Sequence, residues 1–165
     1  LSVVLAILAI TSAIAIPIWI GWLPGHGLRS AVDDLNLGFQ LARLQAVREN
    51  ASASITFPAS TEMVEVFVDD GGGGAGTADN GIREAGERLV KVFFLPAGVN
   101  ISGGTYGTNV NGNMWSGYNS RGFPINNNGS VYLANSTNDY MGMRTNMTGL
   151  PRVIVSSDGI NWVVQ

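Results

Sequence analysis

There is no cysteine anywhere in the 165 residues, and there is only one histidine. The first absence removes disulfides, thiolate metal sites and thiol catalysis together. A cysteine-free chain is at home in either redox compartment, so this feature alone does not place it. The second absence leaves no base for a nucleophilic triad, because His26 sits alone between Gly25 and Gly27. One histidine without a cluster of acids beside it is a poor metal site. Charge is also scarce: only 13% of residues carry one and the net charge is −3, which leaves no basic stripe for nucleic acid. The glycine-rich stretch after Asp70 lacks a following Lys-Ser/Thr and is not a phosphate loop. Glu62, Glu65, Glu84 and Glu87 have ordinary surface spacing near Arg83, Arg88 and Lys91. No catalytic constellation or cofactor site emerges, and the chain reads as a non-enzyme.

What the chain does have is one long apolar run. Its first 23 residues, LSVVLAILAITSAIAIPIWIGWL, contain no charged side chain. A helix rises ~1.5 Å per residue and a bilayer core is ~30 Å thick, so about 20 such residues suffice to cross it. The run exceeds the ~7–15-residue core of a signal peptide and continues past Ala13-Ile14-Ala15, so it reads as a retained anchor. Nothing else in the chain approaches this length. The expected plan is one hydrophobic anchor joined to one soluble head.

Pro17 is expected to interrupt the first helix, and Pro24-Gly25-His26-Gly27 to break it more strongly. Helical periodicity resumes at Leu28 and runs to about Ala51. Leu28, Val32, Leu35, Phe39, Ala42 and Ala46 share one face, while Leu37, Leu41 and Leu44 lie nearly opposite. A helix with two apolar faces has two things to pack against: its own domain and a neighbour, or, alternatively, two sides of one domain. The period then changes to 2. Residues 54–57, 64–68, 89–95 and 129–134 read as strands, and residues 152–164 as a hairpin turning at Asp158-Gly159. The glycine-rich segment after Asp70 and residues 102–128 read as long loops. The organisation is therefore an anchor over residues 1–27, an amphipathic helix over 28–51 and a β-rich head over 52–165.

An apolar N-terminal segment with a proline inside it, an amphipathic continuation and then a sheet together resemble the type IV pilin superfamily. That group includes pilus subunits and the pseudopilins of type II secretion. Downstream, the blocks LRSAVDDLNLGFQLARLQAVRENASASITF, VEVFVDD, LPAGVNIS, GFPINNNGSVYL and RVIVSSDGINW are similar to the GspH/FimT branch. The resemblance implies an α+β pilin fold, with the long helix packed by its C-terminal half on an antiparallel head. It implies assembly from the bacterial inner membrane into a helical filament outside it, by packing with copies of itself or other pilins, with the help of inner-membrane machinery. Leu1, Val4, Leu5, Leu8, Ala9, Ala13, Ile16 and Pro17 would form the filament core. Leu1 would follow the glutamate characteristic of the family, and Pro17 would mark a local unwinding.

Three functional readings follow: a repeated pilus subunit, a minor pilin or secretion pseudopilin at the tip or in initiation, and a single-pass anchored protein that binds a surface. Other candidate sites are weaker. Asp69, Asp70 and Asp79 flank the glycine-rich loop and could offer oxygens to calcium, but they lack the alternating spacing of an EF-hand. Asn-x-Ser/Thr triplets, the acceptor pattern for glycosylation where a cell has the transferase, begin at Asn50, Asn100, Asn128, Asn135 and Asn146. Tyr106, Trp115, Tyr118 and Phe123 are aromatic residues that could either meet a partner or glycan or pack the sheet.

Overall fold

The computed structural model describes residues 2–58, 61–72, 76–125 and 128–165; within the N-terminal helix, the side chains of residues 2, 5, 6, 9, 10 and 13–23 lie outside that description. Helix α1 spans Ser2–Glu49. The break expected at Pro24–Gly27, and the interruption at Pro17, are therefore corrected: the helix runs through both. Proline removes one backbone hydrogen bond and crowds one turn, which a helix absorbs locally if its flanks are held. Here the flank is held from Leu28 onward by the head. Gly27 itself lies under the next turn of chain, where an added Cβ would stand 3.6 Å from Pro96 Cβ and 3.7 Å from Val99 Cγ2.

The 4-3-4-3-4 stripe is the buried one. Leu28, Val32, Leu35, Phe39, Ala42 and Ala46 are each 1% exposed or less and join a single core cluster. The helix ends where Asn50 takes the left-handed conformation (φ 51°), Ala51 N–H reaches Ala46 C=O at 3.2 Å and Asn50 N–H reaches Val47 C=O at 3.4 Å. That is the paired closure of a Schellman motif, with asparagine in the position usually held by glycine.

Two antiparallel sheets receive the helix. The first is ordered β3-β2-β1-β5, with β1 Ala53–Phe57, β2 Met63–Val68, β3 Leu89–Phe94 and β5 Met114–Tyr118. The second is ordered β4-β6-β7-β8-β9, with β4 Val99–Gly104, β6 Gly129–Asn135, β7 Tyr140–Thr145, β8 Pro151–Ser156 and β9 Val163–Val164. Every residue of β1 is buried, because it is a central strand with α1 on one face and a folded-back loop on the other. Phe39, Phe57 and Tyr106 meet with ring centroids 5.9–6.1 Å apart and join helix, sheet and loop. Such aromatic groups give geometric definition as well as buried area.

Three strands lie where loop or unassigned chain is expected. Strand β5 falls inside residues 102–128, and its sequence MWSGY hides a fully buried run. Gly117 is there because a Cβ would stand 2.9 Å from Ser54 Oγ on the adjacent strand. Strands β4 and β7 are similarly masked by glycine. At the C-terminus the expected two-residue turn opens into a six-residue loop. Asp158 keeps an ordinary φ, and its carboxylate accepts from Ile160 N–H (2.9 Å), Asn161 N–H (2.8 Å) and Asn161 Nδ2 (2.6 Å).

Candidate functional site

Once the head has covered one stripe of α1, a second remains uncovered. Leu37, Leu44 and Val47 are exposed, while Leu41 is partly buried against the core. Near the start of the helix Val3, Val4, Ile7 and Leu8 are also more than half exposed. Of the candidate filament-core residues, Val4 and Leu8 are exposed. Leu1 and the side chains of Leu5, Ala9, Ala13, Ile16 and Pro17 lie outside the described residues. Among the described residues, no helix is long and apolar enough to cross a membrane.

The head extends this stripe. Tyr118 donates its hydroxyl to Gly149 C=O at 2.8 Å, fixing the 146–150 turn against β5. Gly122 lies so close to the helix that an added Cβ would stand 3.2 Å from both Arg43 Nε and Val47 Cγ2. The turn at Gly122 thereby comes beside Val47, the 146–150 turn lies against it at Gly149, and the two carry exposed Phe123, Met147 and Leu150. Single exposed apolar residues are ordinary, but a continuous apolar band flanked by polar surface marks a contact site. Of the four aromatic candidates, Tyr106, Trp115 and Tyr118 are buried and pack the sheet, and only Phe123 faces outward. Sequence periodicity finds the helix half of this band; the head half depends on loop placement and leaves no local signal.

His26 is on the helix rather than in a linker, and it borders a cleft of about 500 Å³ with Pro24, Gly27, Ser30, Pro96 and Ser136. The three calcium candidates are separated in role. Asp69 is fully buried; its Oδ2 accepts from Ser54 Oγ at 2.6 Å and Gly81 N–H at 2.8 Å, and its Oδ1 from Asn80 N–H at 3.4 Å. Asp70 accepts from Gly72 N–H at 3.0 Å, and Asp79 stands exposed with φ 62°. Among the described residues no three acidic or histidine side chains gather to hold a metal ion.

The acids of this segment organise its backbone instead. Glu87 accepts from Gly71 N–H (3.0 Å) and Glu84 N–H (2.8 Å), and Glu84 accepts from Thr77 N–H (2.6 Å). Glu87 is therefore buried rather than part of a solvated face. Burial pushes the carboxyls of Asp69 and Glu87 up from their ordinary values, against the donors that hold them down. Arg88 pairs with Glu49 and ties this loop to the end of α1.

The asparagine triplets divide similarly. Asn50 closes α1. Asn135 Oδ1 accepts from Thr137 N–H (3.0 Å) and Asp139 N–H (2.8 Å), and Asn146 Oδ1 from Thr148 N–H (3.1 Å) and Leu150 N–H (3.2 Å). These are turn-forming roles. Asn100, on β4, and Asn128 are exposed.

One long helix laid into two antiparallel sheets, with an apolar stripe left over, is the plan of a pilin-type subunit. The family model described as Type II transport protein GspH matches residues 31–159, and the chain belongs to that family. Two solved structures share the fold. The minor pseudopilin EpsH from the type 2 secretion system of Vibrio cholerae is 10% identical, with a TM-score of 0.55 over 78% of this chain and 96% of that one. The type IV minor pilin FimU of Pseudomonas aeruginosa is 14% identical, with a TM-score of 0.53 over 82% of this chain and 92% of that one. No curated protein sequence matches the chain.

Proposed function

We propose that this protein is a structural subunit of a type IV pilus-like filament, held in the inner membrane by its N-terminal segment and then packed into the fibre by that same segment. The observation that carries this reading is the apolar surface that the head leaves exposed on α1, at Leu37 and Leu44 opposite the buried stripe and at Val4 and Leu8 in its first turns. An uncharged apolar helix costs little to hold in lipid, where all its amides bond internally. Transfer into a bundle of like helices keeps the same surface away from water. Ala6, Ala9, Ala13 and Ala15 would allow close helix approach.

The match to the GspH family favours a second reading, a minor subunit at the filament tip or a secretion pseudopilin. One experiment separates the two. Fibres sheared from producing cells are labelled with gold-tagged antibody against residues 52–165 and viewed by electron microscopy. Regular label along each fibre identifies the repeated subunit; label confined to tips or left in membranes identifies the minor one. Monomers in detergent and no fibre would instead mark a single-pass anchored surface-binding protein.

A further inference from the structure

Arg144 on β7 and Arg152 on β8 are direct cross-strand partners. Their neighbours Met143 and Val153 point into the core, so both arginines stand on the outer face of the five-stranded sheet, where they are exposed. Like charges directly opposite each other on a sheet are destabilising. Among the described residues neither arginine pairs with a carboxylate: the two ion pairs are Arg83–Glu65 and Arg88–Glu49. Arg144 Nε donates to Ser130 Oγ at 3.1 Å, which fixes one edge of the guanidinium, and the residue is exposed. The next row of the sheet carries Tyr132, stacked on Trp162 at 4.2 Å, which backs the pair with a rigid surface.

The complementary charge is elsewhere on the same molecule. Seven of the twelve carboxylates lie between Glu62 and Glu87, where Arg83 is the only cation. Asp69, Glu84 and Glu87 are committed to holding the loop backbone. Asp70 and Asp79 are exposed and form no ion pair among the described residues. Their loop is laid over the four-stranded sheet, with Thr56 Oγ1 donating to Gly81 C=O at 3.0 Å. Positive pair and negative loop thus occupy different sheets of one subunit. A contact between two different patches of identical chains is heterologous, and when its rotation does not close it builds an open helical array.

We propose that Arg144 and Arg152 of one subunit dock on Asp70 and Asp79 of the next copy of this chain in the fibre. The proposal rests on the repeated-subunit reading above. Asp70 follows the buried Asp69, and Asp79 precedes Asn80 and Gly81, whose amides Asp69 holds, so little ordering of either aspartate is needed on contact. Paired opposite charges would also set the register between heads, while the apolar helices supply most of the cohesion.

The test is charge reversal in cells producing the full chain. Arg144→Glu with Arg152→Glu, and separately Asp70→Arg with Asp79→Arg, should each lower sheared-fibre yield about tenfold or more. All four substitutions together should restore the yield to within about twofold of the unmodified chain. Protease resistance of the membrane-held chain reports that each variant is folded. Because the chain has no cysteine, Asp79→Cys with Arg152→Cys, joined by a short bis-maleimide, should give a ladder of oligomers that neither single variant gives. Unaltered fibres in both charge-reversed doubles, no rescue in the fourfold variant, or intact fibres without a ladder would overturn this contact and leave the filament reading standing. Label only at tips in the unmodified strain would overturn both.

Discussion

Ser54 donates its hydroxyl to Asp69 Oδ2 at 2.6 Å, and both residues are fully buried. This bond joins the central strand β1 to the start of the acidic loop, and the same carboxylate oxygen also accepts Gly81 N–H at 2.8 Å. One carboxylate therefore anchors both ends of residues 69–81. Replacing it with alanine strands a buried hydroxyl and a buried amide at once. Hydrogen bonds to charged groups contribute about 1.5–3 kcal/mol, so Asp69→Ala should destabilise the protein by about 2–3 kcal/mol. Chemical unfolding of the full chain in detergent measures this; a loss below about 0.5 kcal/mol would show that the loop is held by other contacts.

Asp69 and Asp158 should respond to pH with opposite sign. Burial raises the Asp69 carboxyl above its ordinary 3.8, so the folded state keeps that proton to higher pH than the unfolded chain. Its contribution therefore falls as pH rises from that value through the folded one. Asp158 is lowered by the amides of Asn161 and Ile160, so its contribution is present at neutral pH and is lost as pH falls below 3.8. The stability advantage of the unmodified chain over Asp69→Asn should be largest near about pH 4 and shrink toward neutrality; over Asp158→Asn it should shrink on acidification. Tm measured across that range decides it, and parallel trends in the two variants would contradict the assignment.

How far the sequence carries can be seen in the helix and in β5. The spacing from Leu28 to Ala46 survives because neighbours three and four residues apart all pack on one continuous core, so periodicity and burial coincide. The two prolines mislead because each removes a single backbone hydrogen bond, a local defect through which a helix of 48 residues runs on. Strand β5 is illegible for the opposite reason. Ser116 and Gly117 look like loop, yet they are buried because another strand and a loop cover them. Loop-borne parts of the candidate surface, Phe123 and Met147, ride on turns placed by Gly122 against Val47 and by Gly149 against Gly122, which is tertiary information. Glu87 is misread for the same reason: it is buried, and one of its partners is Gly71 N–H, sixteen residues earlier in the chain.

Gly129 opens β6 where an added Cβ would overlap the ring of Tyr106. That ring is stacked on Phe57 and held by a 3.0 Å hydrogen bond between its hydroxyl and Thr145 Oγ1. It cannot yield without disturbing the helix-to-sheet junction. Overpacking a well-filled core costs about 1–3 kcal/mol, so Gly129→Ala should lower stability by that amount. Thermal unfolding followed by near-ultraviolet circular dichroism measures the change and the altered aromatic packing together. An unchanged spectrum with an unchanged Tm would place Tyr106 in a looser site than the structure gives it.

The two faces of α1 make separable predictions. Phe39 is fully buried against Phe57 and Tyr106, and its truncation to alanine should cost about 3–5 kcal/mol, detaching helix from head. Leu44 is 59% exposed on the opposite stripe, so Leu44→Glu should change stability by less than about 0.5 kcal/mol. Assembly should respond in the other order of sensitivity per unit of stability lost. A charge at Leu44 would have to be desolvated in any helix-to-helix contact, as would one introduced by Ala9→Asp nearer the N-terminus. Both variants should remain folded and membrane-held while fibres are lost, read by sheared-fibre yield alongside protease resistance of the cell-bound chain. Normal fibres from Leu44→Glu would remove this stripe from the interface, and normal fibres from Ala9→Asp would remove the N-terminal segment from the filament core.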